Sequence, residues 1–191
     1  MAKKIVNFNY SKFRTLDIFV SHRRNVTGGI IRMATKRSIK AAFNRSIPNH
    51  AGFLFEIYGQ YFALEMGPDG LEINSMEKYR TKKELILSVY RWQGFDDIHC
   101  RDDACRHVAE QARRKLEYDW GGAIVSSPWG RKLFRRMKNK KSKDFCSEHV
   151  LKTIEYAGFK NIVTDLNPLQ LVYFMESQKT FPKVRDWAAW S

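Results

Sequence analysis

The stretch KSKDFCSEHVLKTIEYAGF, residues 141–159, sets a cysteine after a polar run and at the opening of an amphipathic segment. A cysteine in the first turn of a helix lies beside unpaired backbone N–H groups and the positive end of the helix dipole. Both favour the thiolate, the reactive form. The same N–H groups suit the oxyanion of a tetrahedral intermediate. Cys146 is therefore placed for nucleophilic catalysis if a base lies within reach. Two plainer readings stand beside this one: a small buried hydrophobe, and a metal ligand.

The base must be one of His22, His50, His99, His107 and His149. His149 lies three residues after Cys146 on the same helical face, with little room for a substrate carbonyl between them. His50 opens an expected strand after the polar loop SIPN, and a strand end is a rigid platform for a base. The plainer reading of His50 is a loop histidine in solvent. Zinc is the competing chemistry, because HCRDDACRH, residues 99–107, offers two cysteines and two histidines. The Cys-x4-Cys-x-His spacing is not a usual zinc pattern, however, and Cys105 falls on an apolar stripe with Val108. Cys100 reads as a strand–helix junction. We therefore expect no metal and no organic cofactor.

Those residues need elements to hold them. Residues 16–20, LDIFV, read as a short strand, and residues 28–43 as a helix after a Gly pair. HAGFLFEIYGQYFALEM, residues 50–66, is the clearest pattern: two aromatic-rich runs flank Gly59, a hairpin signal. A turn follows at GPDG, then strands in LEINSM and in residues 84–92. Residues 102–118 read as a helix capped by Asp102 or Asp103, with Ala104, Val108, Ala112 and Leu116 as its stripe. A loop over residues 119–130 and a basic run precede the Cys146 helix. That helix buries Val150, Leu151 and Ile154 and stops at Gly158. NPLQLVYF, residues 167–174, reads as a loop and strand that close the ordered chain. Helices and a largely antiparallel sheet occur in blocks, so the fold class is α+β.

The 191 residues suit one domain, taken as residues 1–191, with a basic N-terminal segment at 1–15 and a basic insertion at 131–143. Three cysteines make no disulfide framework. No apolar run approaches the ~18 residues of a membrane span. No apolar segment follows the basic start, so the expected location is the cytoplasm, with action at the envelope if another route delivers the protein. The net charge is +14, with eleven Lys/Arg in residues 3–45 and eight in residues 131–143. That charge suits an anionic partner, whether a cell-wall polymer, a membrane surface or nucleic acid, and does not choose among them. Runs of this kind, taken singly, also read as solvated faces.

Taken together, these motifs resemble a known family. YDWGG, residues 118–122, and DFCSEHV, residues 144–150, are similar to the two halves of the NlpC-type papain-like cysteine peptidase motif. In the ordinary order a histidine strand follows the cysteine; here the histidine strand lies upstream. NHAGFLFEIYGQYFALEMGPDGLEI, residues 49–73, resembles the corresponding stretch of the circularly permuted, YiiX-like branch, where histidine precedes cysteine and a glutamate ends the second hairpin strand. LDIFV resembles that branch's opening GDI strand, with Leu16 in place of glycine. LNPLQL resembles its closing TP-x-D-L, with Gln170 in place of the acid. The likeness spans residues 16–174. Its departures are Glu148 where CSG has glycine, the basic insertion, and the unmatched residues 93–107.

The resemblance implies a permuted papain-like fold: an antiparallel sheet or partial barrel against helices, with the nucleophile at a helix start. It implies Cys146 as nucleophile, His50 as general base and acid, and Glu65 as the group that orients the imidazole. Tyr118 would orient the nucleophile or line the site; an aromatic packing at a helix end is the plainer reading. Asp17 is a further candidate beside the substrate or oxyanion, and reads more simply as a strand-start residue. Glu65 meets a geometric obstacle. A two-residue turn at Gly59–Gln60 sets it opposite Leu54, roughly 13 Å along the strand from His50, unless a longer loop or bulge intervenes. Otherwise Glu65 is a surface strand glutamate. The implied activity is amide hydrolysis, with peptide substrates and cell-wall fragments foremost, in a bacterial or bacteriophage protein. Related permuted proteins, the lecithin:retinol acyltransferase group, imply acyl transfer through a cysteine thioester as the alternative. A non-catalytic basic module that binds nucleic acid is the third reading. An activated Cys146 predicts faster labelling by a thiol probe than Cys100 or Cys105.

Overall fold

The computed structural model describes residues 12–23, 29, 32, 47–67, 69–79, 84–114, 117–118 and 143–186. The helix expected over 28–43 lies outside them except for Gly29 and Arg32, both helical. The expected loop over 119–130 and the basic insertion also lie outside them.

Six antiparallel strands form one sheet: β1 (Ile18–Arg23), β2 (His50–Ile57), β3 (Gln60–Gly67), β4 (Gly70–Ser75), β5 (Glu84–Tyr90) and β8 (Lys183–Asp186). Their order across the sheet is β4-β3-β2-β1-β5-β8. Among the described residues, three further helices accompany them: α1 (Ile98–Arg113), α2 (Cys146–Tyr156) and α3 (Pro168–Ser177). The α+β reading holds. Two-residue strands β6 (Glu117–Tyr118) and β7 (Lys143–Asp144) pair in parallel as a separate two-stranded sheet.

Side chains alternate across the strands. Ile18, Val20, Ala51, Phe53 and Leu64 join Val150, Leu151 and Ile154 of α2 in the larger core. Phe19, Leu54, Ala63, Ile86 and Val89 pack on the other face with Met76 and Tyr79. Every residue of β1 is buried, because both of its faces are covered. The first half of β1, Ile18 to Val20, therefore reads as an apolar run without alternation, and Ser21, His22 and Arg23 are buried polar residues.

The hairpin between β2 and β3 turns at Tyr58–Gly59, since Ile57 pairs with Gln60. Both turn residues have positive φ, +50° and +75°, as a type I′ turn requires. The expected Gly59–Gln60 turn is thus off by one residue, and no bulge is needed. Glu65 stands opposite Gly52, two residues from His50 and on the same face. Such diagonal neighbours are about 7–8 Å apart, within reach of long side chains.

Leu16, in the position of the resembling motif's glycine, takes φ +71° while fully buried. Its N–H donates to the Leu54 carbonyl at 2.7 Å, and the Leu54 N–H donates to the Asp17 carbonyl at 2.8 Å. These bonds and the apolar contacts hold a left-handed leucine at a cost of about 1–2 kcal/mol.

Two helices differ from expectation. Helix α1 begins at Ile98, where the Asp97 carboxylate accepts from the N–H groups of His99 and Cys100. Asp102 and Asp103 lie inside it, Ala112 is exposed, and the helix ends before Leu116. Residues 167–174 open helix α3 and are not a strand. The Asn167 side chain accepts from the N–H groups of Leu169 and Gln170, the Gln170 side chain accepts from the Asn167 N–H, and Pro168 fills the first turn. Asn-Pro-x-Gln is a capping box with proline inside, and it outweighs the strand preference of Val172, Tyr173 and Phe174. Strand β8 follows, so the ordered chain continues past residue 174.

Candidate active site

His50 is the first residue of β2, opposite Ser21 of β1. The side chain of Asn49 fixes that strand start. Its Oδ1 accepts from the Arg23 N–H at 2.8 Å, and its Nδ2 donates to the Arg23 carbonyl at 2.9 Å. Gly52 leaves room for the Phe19 ring, which a Cβ there would meet at 2.8 Å. That ring in turn packs against the His50 imidazole, with centroids 6.3 Å apart.

His50 Nε2 lies 2.8 Å from Glu65 Oε2, both side chains buried. Glu65 is the hub of the site at 0% exposure. Its Oε2 also accepts from the Tyr79 hydroxyl. Its Oε1 accepts from Arg23 Nη2, from Asn74 Nδ2 at 2.8 Å and from Lys78 Nζ at 2.7 Å. Burial works to raise the Glu65 pKa, but His50, Arg23 and Lys78 together hold it below the ordinary carboxylate range. Arg23 and Lys78 still favour its ionised form when His50 is neutral. An ionised Glu65 draws the imidazole proton to Nε2 and leaves Nδ1 as the acceptor nitrogen. Burial first, and then the charges of Arg23 and Lys78, push the His50 pKa down to about 4 against the pull of Glu65.

Cys146 opens α2 after Phe145, which serves as N-cap without a side-chain cap bond. Its thiol lies against the backbone N–H of Ala51, the residue after His50, and feels the charges of Arg23 and Glu65. The fold thus brings His50 and Glu65 together from β2 and β3, and sets the Cys146 thiol at the N–H of Ala51, one residue along β2 from His50. The thiol differs from expectation in one respect. Cys146 is 1% exposed and sits in a small apolar cluster with Phe145, Met66 and Leu71. Burial raises its pKa; the N–H groups of Ala51 and Ser147 and the charge of Arg23 oppose this without cancelling it. At neutral pH thiol and imidazole are therefore both uncharged. The fast labelling expected of Cys146 gives way to shielding, while Cys100 and Cys105 are only partly buried.

Tyr118 pairs through its backbone with Asp144, two residues before Cys146. This sets its strand beside the residues that lead into the Cys146 helix; its side chain lies outside the described part of the molecule. Asp17 is not brought to this site. It stands at the other end of β1, buried, where Arg91 Nε and Nη2 each donate to it at 2.8 Å and the Arg14 N–H donates at 2.9 Å. Among the described residues, no group of three or more His, Cys, Asp or Glu is placed to hold a metal ion.

Sequence reasoning missed Arg23, Asn49, Asn74, Lys78 and Tyr79. No motif marks them, since their separations of 9 to 42 residues from Glu65 are set by strand pairing.

No protein-family model matches the chain. No curated protein matches it. Among solved structures, the chain matches the crystal structure of metalloprotein yiiX from Escherichia coli O157:H7, described as DUF1105. The two folds are alike. The TM-score is 0.53 at 16% sequence identity, covering 77% of this chain and 67% of that one. The six-stranded sheet with its helices is therefore a yiiX-like architecture. No described helix is long and apolar enough to cross a membrane.

Proposed function

We propose that this chain is a cysteine hydrolase of permuted papain-like type, a single domain, with Cys146 as nucleophile, His50 as base and acid, and Glu65 as the orienting group. One observation carries the reading: the His50 Nε2 bond to a buried, ionised Glu65, on a strand whose next N–H meets the Cys146 thiol. A surface glutamate would not be wholly buried, and a histidine in a solvent loop would not be bonded to one. In the reaction, the Cys146 proton passes to His50 Nδ1 as sulfur attacks a carbonyl carbon. Backbone N–H groups at the start of α2 receive the developing oxyanion. The imidazolium protonates the leaving amine, and water, deprotonated by Nδ1, hydrolyses the thioester. Because the sulfur is covered, substrate entry must displace some of Met66, Leu71 and Phe145.

The fold neighbour is a metalloprotein by name, which raises the question of a cation here. The donors do not fit one. Both oxygens of Glu65 already meet hydrogen-bond donors, and Arg23 and Lys78 would repel a metal. Peptide amides of cell-wall fragments are the leading substrates, with the positive charge aiding approach to an anionic envelope. The apolar surroundings of the sulfur favour one other reading, an acyl group transferred from lipid.

The test incubates the protein with purified cell-wall fragments and, separately, with phospholipid vesicles, and follows products and Cys146 adducts by mass. Amide cleavage lost in both Cys146→Ala and His50→Ala supports the hydrolase. An acyl adduct on Cys146 from lipid alone selects acyl transfer. Absence of both, under conditions where the chain is folded, overturns the catalytic reading.

A further inference from the structure

Five donors converge on the single carboxylate of Glu65, and four of them are not part of the triad. Two are cations: Arg23 from the end of β1 and Lys78 from the 3-10 turn Met76–Tyr79. Their division is unequal. Oε1 takes Arg23, Asn74 and Lys78, while Oε2 is kept for His50 and Tyr79. A carboxylate serving only as a structural anchor could share its oxygens in any manner. Here both cations bind the oxygen that His50 does not use. Other charges near the cluster are also paired: Glu84 of β5 stands 3.8 Å from both Arg23 and Lys78, and Glu72 of β4 accepts from Asn74 at 3.0 Å. Arg32 donates to the Arg23 carbonyl and braces the strand end.

We infer that Arg23 and Lys78 are positioning residues that act through Glu65: they favour its anion and commit Oε2 to His50, which leaves Nδ1 as the acceptor nitrogen, while their own charge opposes protonation of the ring. The inference deepens the hydrolase reading and rests on it for its meaning in catalysis. A Glu65 anion alone would stabilise imidazolium and make His50 a resting acid. Burial and the two cations together reverse that balance, since each cation opposes a positive ring. His50 then stays a base over a wide pH range and becomes charged only when it takes the Cys146 proton. Lys78 is the more informative of the two. Its side chain is 29% exposed against 11% for Arg23, so its removal leaves no sealed hole.

The test is nitrogen-15 imidazole spectroscopy of the full chain, which reads tautomer and titration midpoint without needing turnover; a His50→Gln spectrum assigns the resonance. His50 is expected as the Nε2–H tautomer with a midpoint well below that of an ordinary histidine. Lys78→Met should raise the midpoint by about 0.5–1 pH unit, and Lys78→Arg should restore it. Arg23→Lys, which keeps the charge but loses the planar fork, should blur the tautomer more than it moves the midpoint. A Lys78→Met protein that melts like wild type yet keeps the wild-type midpoint and tautomer overturns the inference. If Lys78→Met does not fold, Arg23→Lys decides in its place: an unaltered tautomer overturns the inference. Amide cleavage with no shift in these spectra would spare the hydrolase reading and remove this one. The expected shifts without any turnover would do the reverse.

Discussion

The two ends of β1 each bury a carboxylate beside an arginine, and they do opposite things with it. At one end Asp17 meets Arg91 through two parallel 2.8 Å bonds and accepts one backbone N–H. At the other Glu65 is shared among five side chains from four different elements. Burial dominates at Asp17 and raises its pKa, whereas at Glu65 the surrounding cations and imidazole overcome burial and lower it. Asp17 ties the first strand to the Arg91 segment. Glu65 sets the chemistry of a neighbour. A buried acid next to an arginine is thus no sign of a catalytic site; the sign is an acid whose second oxygen serves a titratable ring.

The strongest way to break this contrast is to delete each acid. Glu65→Ala strands Arg23 in the interior and is expected to cost about 3–5 kcal/mol. Asp17→Ala leaves the partly exposed Arg91 free to reach water and should cost about 1–3 kcal/mol. Urea unfolding of the two variants measures both; equal losses would mean the ends are energetically alike. Glu65→Gln, which keeps shape, should lower any turnover about 10²-fold or more while Asp17→Asn leaves it near wild type.

Acid titration sharpens the contrast through sign. His50 has its pKa depressed to about 4 and His149, by burial, to about 3. The unfolded chain therefore binds protons first, and stability falls as pH drops from about 6.5 toward those values. Each histidine contributes up to about 1.4 kcal/mol per pH unit in its window. The depressed Glu65 adds a loss below its ordinary range. Asp17, with a raised pKa, works the other way: its contribution is present below its ordinary value and is lost as pH rises through the folded one. His50→Gln should flatten the fall between pH 6 and 4, and Asp17→Asn should steepen the fall near pH 4. Unfolding midpoints across that range decide it.

The smallest effects are local. Gly59→Val forces a β-branched residue into positive φ at the hairpin tip and should cost about 1–2 kcal/mol, seen as a lower melting temperature. Iodoacetamide at neutral pH should modify Cys100 and Cys105 before Cys146. The rate at Cys146 should rise with pH as its thiol ionises, and should stay below theirs while Met66, Leu71 and Phe145 cover the sulfur.

Much of the fold was legible because it is local. The hairpin, the Cys146 helix and its Gly158 stop follow from periodicity and one glycine. Helix α3 was misread because strand-forming Val172, Tyr173 and Phe174 were weighed above the Asn167–Gln170 capping pair. Cys146, His50 and Glu65 could be named as candidates from a resemblance, but the contact between His50 and Glu65 depends on register, which is fixed by a turn whose two positive-φ residues lie one place before the expected pair. The donors around Glu65 could not be read at all, since nothing in one dimension says which strands become neighbours. The state of Cys146 was misjudged for a related reason: a helix start predicts a dipole, while burial by Met66 and Leu71 comes from other segments.

The hairpin tip at Tyr58–Gly59 carries a consequence out of proportion to its surroundings. Nothing lies within 4 Å of where a Gly59 Cβ would stand. Yet removing one residue there would slide the return strand by one place, so that Met66 faced Gly52 and Glu65 faced Phe53. With a period of two, that slip turns the carboxylate from His50 into the greasy interior beneath the helices. The length of a solvent-facing bend some seven residues away thus governs whether the acid and the imidazole ever meet.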